Sequence, residues 1–371
     1  MTTLDRSAVD ALFERARRDT DSGLLPSCQV ALALDGEVLV HEAFGDATPD
    51  TRYTIFSATK PFIASMIWQL LGEGVLTPEQ PVVDLIPEFG SNGKDAITLD
   101  HVLQHTAGFP HAPLGPPRWD THEGRRATFA EWRLNWPVGS RYEYHPTSAH
   151  WVLAEIVHAV TGQDHTDALR ARVLEPLGLT SFNLGPAPDE QAEIADLVLT
   201  GEPVDPDELE ALIGMREIPV GEVTDEALLN LNTPAARAIG LPGGGGISNA
   251  ADVTLFYQAL LHDPKGIWDP EVRRDATSVV RNTFPDPWFG TPANRTRGLI
   301  VAGDDGRSNM RGMGRTVSPR AFGHNGAAGQ VAWADPATGL SFCYLTNGRD
   351  LHVLREHRRT TAVASFAAVC T

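Results

Sequence analysis

Ser57-Ala58-Thr59-Lys60, followed by the apolar run Pro61–Leu71, decides the reading of this chain. The stretch Ser57–Leu71 predicts a buried helix that ends near Gly72 and Gly74. Residues three apart share one face of a helix, so the Lys60 nitrogen comes beside the Ser57 oxygen. A serine hydroxyl is a poor nucleophile until a neighbouring base takes its proton, and Lys60 is such a neighbour. Two readings of Ser57 stand at this point. It is either a simple N-cap or an acyl-carrying nucleophile at a helix N-terminus, where free N–H groups favour developing negative charge. A second copy of the spacing, Ser91-Asn92-Gly93-Lys94, lies in an Asn-Gly turn with no apolar helix after it and reads as a loop.

Upstream, Leu4, Val9, Leu12 and Phe13 suggest an amphipathic helix over Leu4–Arg18. Gln29–Leu34 and Val38–Ala43 are apolar runs split by Asp35-Gly36, a hairpin signal. Downstream, helices are expected at Leu99–Gln104, Trp151–Val160, Thr166–Leu174 and Asp252–Leu261, with a proline-rich loop over Pro110–Pro117. Asp189–Asp225 is acidic, lacks aromatic residues, and reads as a lid, an insertion or a surface segment. Gln330–Ala334 and Leu340–Thr346 read as strands around a turn, and a last helix runs from about Leu351 to Val369. This order fits an α+β chain with one antiparallel sheet built from both ends and flanked by the terminal helices. The expected division is a sheet domain of residues 1–60 and 320–371, with a mainly helical domain, 61–319, inserted. Ser57 and Lys60 then sit at the junction, where ligand clefts commonly form.

Two further segments carry chemistry. In Pro137–Pro146, Tyr142 and Tyr144 alternate after a Pro/Gly turn. Tyr142 reads as core. Tyr144 reads as a candidate general base, because nearby cations favour a phenolate. In Phe322–Gly329, glycines flank His324 at the opening of a strand and let a substrate approach the strand edge. A backbone N–H from that edge, paired with the N–H of Ser57, makes an oxyanion hole. His324 is within reach of the Ser57–Tyr144 pair on this reading; taken alone, the segment reads rather as a glycine-rich turn with a surface histidine.

Taken together, Tyr53–Lys60, Ile97–Gly108, Tyr144, Leu241–Ser248 and His324-Asn325-Gly326 resemble the serine β-lactamase and penicillin-recognising family. The likeness is to class C β-lactamases and family VIII carboxylesterases, and it spans nearly the whole chain. The resemblance implies the β-lactamase/transpeptidase-like fold and an acyl-enzyme mechanism without a cofactor or metal. It implies Ser57, Lys60, Tyr144 and His324 as catalytic residues and the N–H groups of Ser57 and Ala327 as the oxyanion hole. Asn325, Gly326 and His145 are assigned to substrate binding. Which of Lys60 and Tyr144 is the base stays open, because the two titrate as a coupled pair. The family's Tyr-x-Asn motif reads Tyr144-His145-Pro146 here, and proline offers no side-chain amide. His324 replaces a lysine that would hold a β-lactam carboxylate. Both departures favour a neutral ester, so a carboxylesterase for small or medium acyl esters is expected. An amidase, D-aminopeptidase or acyltransferase on the same site, a weak β-lactamase, and a non-catalytic ligand-binding relative are the alternatives.

Composition narrows the partners. The 371 residues carry a formal net charge of −18 and no Lys/Arg-rich run, which argues against nucleic acid or an anionic membrane. Cys28, Cys343 and Cys370 make neither a disulfide framework nor a metal cluster. No stretch predicts a transmembrane span or a secretory leader, so a cytoplasmic monomer or homodimer acting on a small molecule is expected. His101 and His105 have the i, i+4 spacing of a metal pair but lack a third ligand, and a structural role is expected. Trp119, Trp132, Trp136 and Trp151 read as core, with one or two facing an acyl pocket.

Overall fold

The computed structural model describes residues 3–371; Met1 and Thr2, the start of the segment read above for a leader, lie outside the described residues. Asp35-Gly36 forms the expected tight turn, with φ of 51° and 84° at its two residues. Left-handed backbone at both central positions matches the twist of a hairpin, and Asp-Gly tolerates it. The turn joins β1 (Ser27–Leu34) to β2 (Glu37–Gly45). β3 (Ile300–Val301), β4 (Phe322–Gly323), β5 (Val331–Asp335) and β6 (Leu340–Thr346) complete a six-stranded sheet in the order β2-β1-β6-β5-β4-β3. Every neighbouring pair in it is antiparallel.

The period-2 alternation of the strands sorts two cores. Val30, Leu32, Val331, Trp333, Phe342 and Tyr344 face one side, packing with Leu12 of α1 (Arg6–Asp21) and Val363 of the C-terminal helix Val353–Ala367. Ala31, Ala332, Ala334, Cys343 and Leu345 face the other side. There they join the large core formed with the helices Lys60–Gly72, Ser148–Thr161 and Ala250–His262. The sheet layer therefore reaches further into the chain than a division at residue 320. The edge strand at Ile300–Val301 pairs with β4, and Gln258 of the Ala250–His262 helix donates to the carbonyls of Ala33 and Gly339 and to the Ser341 hydroxyl.

A second sheet of very short strands sits beside the nucleophile: Asn183–Leu184, Gly246–Ser248, Arg52–Thr54 and Ile194–Ala195, in that order. The helix expected over Thr166–Leu174 becomes an α-turn, His165–Leu169, followed by a π-turn, Arg170–Leu174. The three cysteines are free and buried. No helix among the described residues is long and apolar enough to cross a membrane.

Candidate active site

Ser57 lies in a 3₁₀ turn, Phe56–Thr59, that leads directly into the Lys60–Gly72 helix. Phe56 is held at φ 46°, a left-handed value that costs a side-chain-bearing residue energy and persists only where the surroundings enforce it. Thr59 supplies part of that enforcement. Its hydroxyl donates to the Phe56 carbonyl at 2.6 Å and accepts from the Gly246 N–H at 2.9 Å. The strained turn is thus stitched to the glycine loop, and Ser57 is presented half-exposed at a cavity of ≈ 480 Å³.

Lys60 Nζ donates to Ser57 Oγ at 3.2 Å and to the Gly243 carbonyl at 2.5 Å. Lys60 is 1% exposed. Burial, and then the charge of Arg295, pull its ammonium well below the usual lysine value of 10.5. The neutral amine is the form that can accept a proton. Gly243 is small of necessity: a Cβ there would lie 2.9 Å from the Pro146 carbonyl oxygen and 3.4 Å from Lys60 Nζ.

The Tyr144 ring stands 5.1 Å from Lys60 Nζ, and the guanidinium of Arg295 lies 5.1 Å from the same ring centroid. The Tyr144 hydroxyl is buried and finds no hydrogen-bond partner among the described residues. Burial pushes the phenol up to about 12, against the pull of Arg295 and of the neighbouring Ser57 hydroxyl. His324 lines the cavity, and its Nδ1 pairs with the Asn325 carbonyl at 2.8 Å, which makes Nδ1 the protonated nitrogen and Nε2 a free acceptor. Burial, with Arg295 and Lys60 nearby, keeps it neutral well below the ordinary histidine value.

Asn325, Gly326 and Ala327 line the same cavity. The N–H groups of Ser57 and Ala327 each belong to the first turn of a short 3₁₀ helix, Phe56–Thr59 and Ala327–Gly329, where backbone donors lack intrahelical partners. A Cβ on Gly326 would meet the Ile55 carbonyl oxygen at 2.3 Å and Gln330 Cβ at 3.0 Å. Gly326→Ala is therefore expected to push this edge away from Ser57. It should cost about 1–3 kcal/mol of stability in urea unfolding and lower kcat at the same time. A variant with unchanged stability and kcat would contradict the close packing described.

His145, assigned above to substrate binding, is turned into the protein. Its Nδ1 pairs with the Glu143 carbonyl at 2.6 Å, its Nε2 accepts from the Phe109 N–H at 3.1 Å, and it is fully buried. Both ring nitrogens are spent on backbone, which removes it from the cavity wall. His105 accepts the His145 N–H at Nδ1, and His101 Nδ1 accepts the Thr98 N–H, so both serve local structure. Lys94 of the Ser91 copy is buried between the carbonyls of Ser91 and Trp132, and the Ser91 hydroxyl donates to the Ala130 carbonyl. None of the four tryptophans named above lines the cavity; Trp288 and Phe289 do.

His105, His145, His150 and His324 are all buried around the site, and burial lowers each of them, His145 to about 3. The unfolded chain takes up protons below its ordinary value of 6.5, where the folded chain refuses them. Stability is then complete above that pH and falls as pH drops through the window, which for His145 closes near 3. Each histidine contributes a slope of at most about 1.4 kcal/mol per pH unit. Urea unfolding at about pH 7.5 and about pH 5 should show this loss, and equal stability at the two would contradict it.

The residues of 189–225 partly answer to a lid. Ile218, Pro219, Val220 and Val223 form one apolar wall of the cavity, and Glu222 Oε1 accepts from the Thr147 hydroxyl at 2.7 Å. Sequence reasoning missed Arg295. An arginine in a turn-rich stretch carries no motif, and only the fold brings it against Tyr144.

A sequence model of the family described as beta-lactamase matches residues 9–365. The chain is 27% identical over 356 residues to the esterase/beta-lactamase LipL of Mycobacterium tuberculosis, covering 86% of this chain and 76% of that one. It is 26% identical to esterase EstB of Burkholderia gladioli, covering 91% and 89%. Among solved structures, a penicillin-binding protein homolog from Caulobacter crescentus superposes with a TM-score of 0.82 at 26% identity, over 100% of this chain and 99% of that one. From its first helix to its last, the chain belongs to the beta-lactamase family.

Proposed function

We propose that this protein is a serine hydrolase that forms an acyl-Ser57 intermediate, acting as a carboxylesterase on small or medium acyl esters. The observation that carries the reading is the buried Lys60 amine 3.2 Å from the Oγ of Ser57, which lines a cavity together with Tyr144. Relatives named as esterases support the ester class.

In this reading the Ser57 hydroxyl proton passes to the neutral Lys60 amine as Oγ attacks the ester carbonyl. The oxyanion forms against the N–H groups of Ser57 and Ala327, which need no reorganisation as the charge develops. The C–O bond to the alcohol then breaks, and the proton travels from Lys60 through the Tyr144 phenol to the leaving oxygen. Water attacks the acyl-enzyme by the reverse route. Lys60 is the base here and Tyr144 the relay, because burial lowers the first and raises the second to about 12. Pro146 lines the cavity without offering a donor, which disfavours amides and β-lactams relative to esters.

The test is a matched p-nitrophenyl ester and p-nitroanilide series followed against pH. Esters are expected to dominate. Their kcat/KM should rise on a limb well below 10.5 and stay level up to the high-pH range of Tyr144. Anilides cleaved as fast as esters would move the assignment to an amidase. A rising limb near the ordinary lysine value would remove Lys60 as the base. The three unpaired cysteines support a reducing, cytoplasmic setting within this proposal.

A further inference from the structure

Of the buried histidines around the site, His105, His145 and His324 are engaged by backbone. His145 pairs both ring nitrogens with backbone groups, His105 Nδ1 accepts the His145 N–H, and His324 Nδ1 pairs with the Asn325 carbonyl. His150 is the exception. It is 3% exposed, and neither Nδ1 nor Nε2 has a hydrogen-bond partner among the described residues. A buried polar group left without a partner is costly, and the acyl-transfer steps give this one no task.

Its place points to Lys60. The His150 N–H donates to the carbonyl of Thr147, the residue before the helix Ser148–Thr161, at 3.1 Å. The two residues therefore share one face of the first turn. That face meets the Lys60 amine: a Cβ on Gly243 would stand 3.4 Å from both Thr147 Cα and Lys60 Nζ. The His105 ring lies alongside, 6.1 Å from the His150 ring between centroids. Burial, and then the neighbouring Lys60, His324 and Arg295, keep His150 neutral, well below the ordinary histidine value.

Lys60 lacks what His150 offers. On taking the Ser57 proton, the amine becomes an ammonium with three N–H donors. Ser57 Oγ at 3.2 Å and the Gly243 carbonyl at 2.5 Å meet two of them, and these are the bonds of Nζ among the described residues. The ammonium forms in a buried slot, where burial and Arg295 work against it and Glu222 favours it. A neutral imidazole keeps one lone pair, and a charge-assisted bond to that lone pair is strongest where water is scarce.

We infer that His150 is a positioning residue for Lys60: its unprotonated ring nitrogen accepts the third N–H of the Lys60 ammonium, directly or through one buried water, and so stabilises the base while it carries the proton. This rests on the acyl-Ser57 reading with Lys60 as the base. No bond to His150 forms or breaks; the proton stays on Lys60 until it passes to Tyr144.

The experiment follows kcat/KM for p-nitrophenyl acetate against pH in the wild type, His150→Leu, His150→Asn, His150→Gln and Ser57→Ala. His150→Leu fills the slot without a lone pair. Its plateau should fall about 10- to 100-fold. Losing the acceptor disfavours the ammonium, so the limb assigned to Lys60 should move to lower pH. Asparagine or glutamine restores an oxygen acceptor, and at least one of the two should recover part of both effects. A lower plateau with the limb unmoved would show that His150 only packs and would overturn the inference, as would an unchanged rate. A second readout needs no change at His150. In the wild type, the ¹⁵N shift of one His150 ring nitrogen should follow pH with the midpoint of the activity limb, and in Lys60→Met that step should vanish. Ring nitrogens blind to this titration would overturn the inference as well. Turnover that survives in Ser57→Ala would instead overturn the hydrolase reading, so the two failures are separable.

Discussion

Replacing Ser57 with alanine is expected to lower p-nitrophenyl ester turnover by about 10⁴- to 10⁶-fold, with the Tm within a few degrees of the wild type. The size of the effect follows from what remains. Lys60 keeps its bond to the Gly243 carbonyl, the cavity keeps its walls, and the backbone N–H groups at position 57 and at Ala327 stay in place, but no atom can carry the acyl group. Residual rate comes only from binding and from the oxyanion donors acting on water. The fold should tolerate the change because the Ser57 side chain meets solvent at the cavity and is held by the Lys60 amine rather than packed in the core. A variant retaining a tenth of the wild-type rate would contradict the role of Ser57.

The second large effect is expected at Lys60. Lys60→Met keeps an unbranched side chain of similar length in a fully buried slot while removing the amine. Turnover should fall by about 10²- to 10⁴-fold, the range that a positioned base contributes. Stability should change little. The Gly243 carbonyl loses its donor, which costs about 1–3 kcal/mol, while the burden of burying an amine disappears. The pH profile separates this from general damage. The rising limb assigned to Lys60 should vanish in the variant, leaving the residual rate flat in that range. If the limb persisted unchanged, the titrating base would be another group, and Tyr144 would be the first alternative.

Much of the fold could be read locally. Asp35-Gly36 dictates a hairpin because few dipeptides accept two left-handed residues, and the run after Ser57 has too little polar surface to be anything but a buried helix. The strands around Asp335 and the two terminal helices follow from periodicities of 2 and 3.6 in the same way. The four short strands beside Ser57 were not legible. Stretches such as Arg52–Thr54 and Gly246–Ser248 have no pattern of their own and exist through pairing with distant chain. The site divides similarly. Ser57 and Lys60 are visible because a helix fixes their spacing, whereas the side of the chain to which His145 turns is decided by His105 and Phe109, 40 and 36 residues away. Arg295 is the extreme case. Its burial and its neighbour Tyr144 are products of the tertiary fold alone.

Everything proposed for the site depends on Ser57 carrying the acyl group, and labelling with a fluorophosphonate asks that question of the residue itself. Intact mass should show one adduct per chain, peptide mapping should place it on Ser57, and esterase activity should fall in proportion to labelling. Activity that survives complete labelling, or an adduct carried by any other residue as activity is lost, would contradict it.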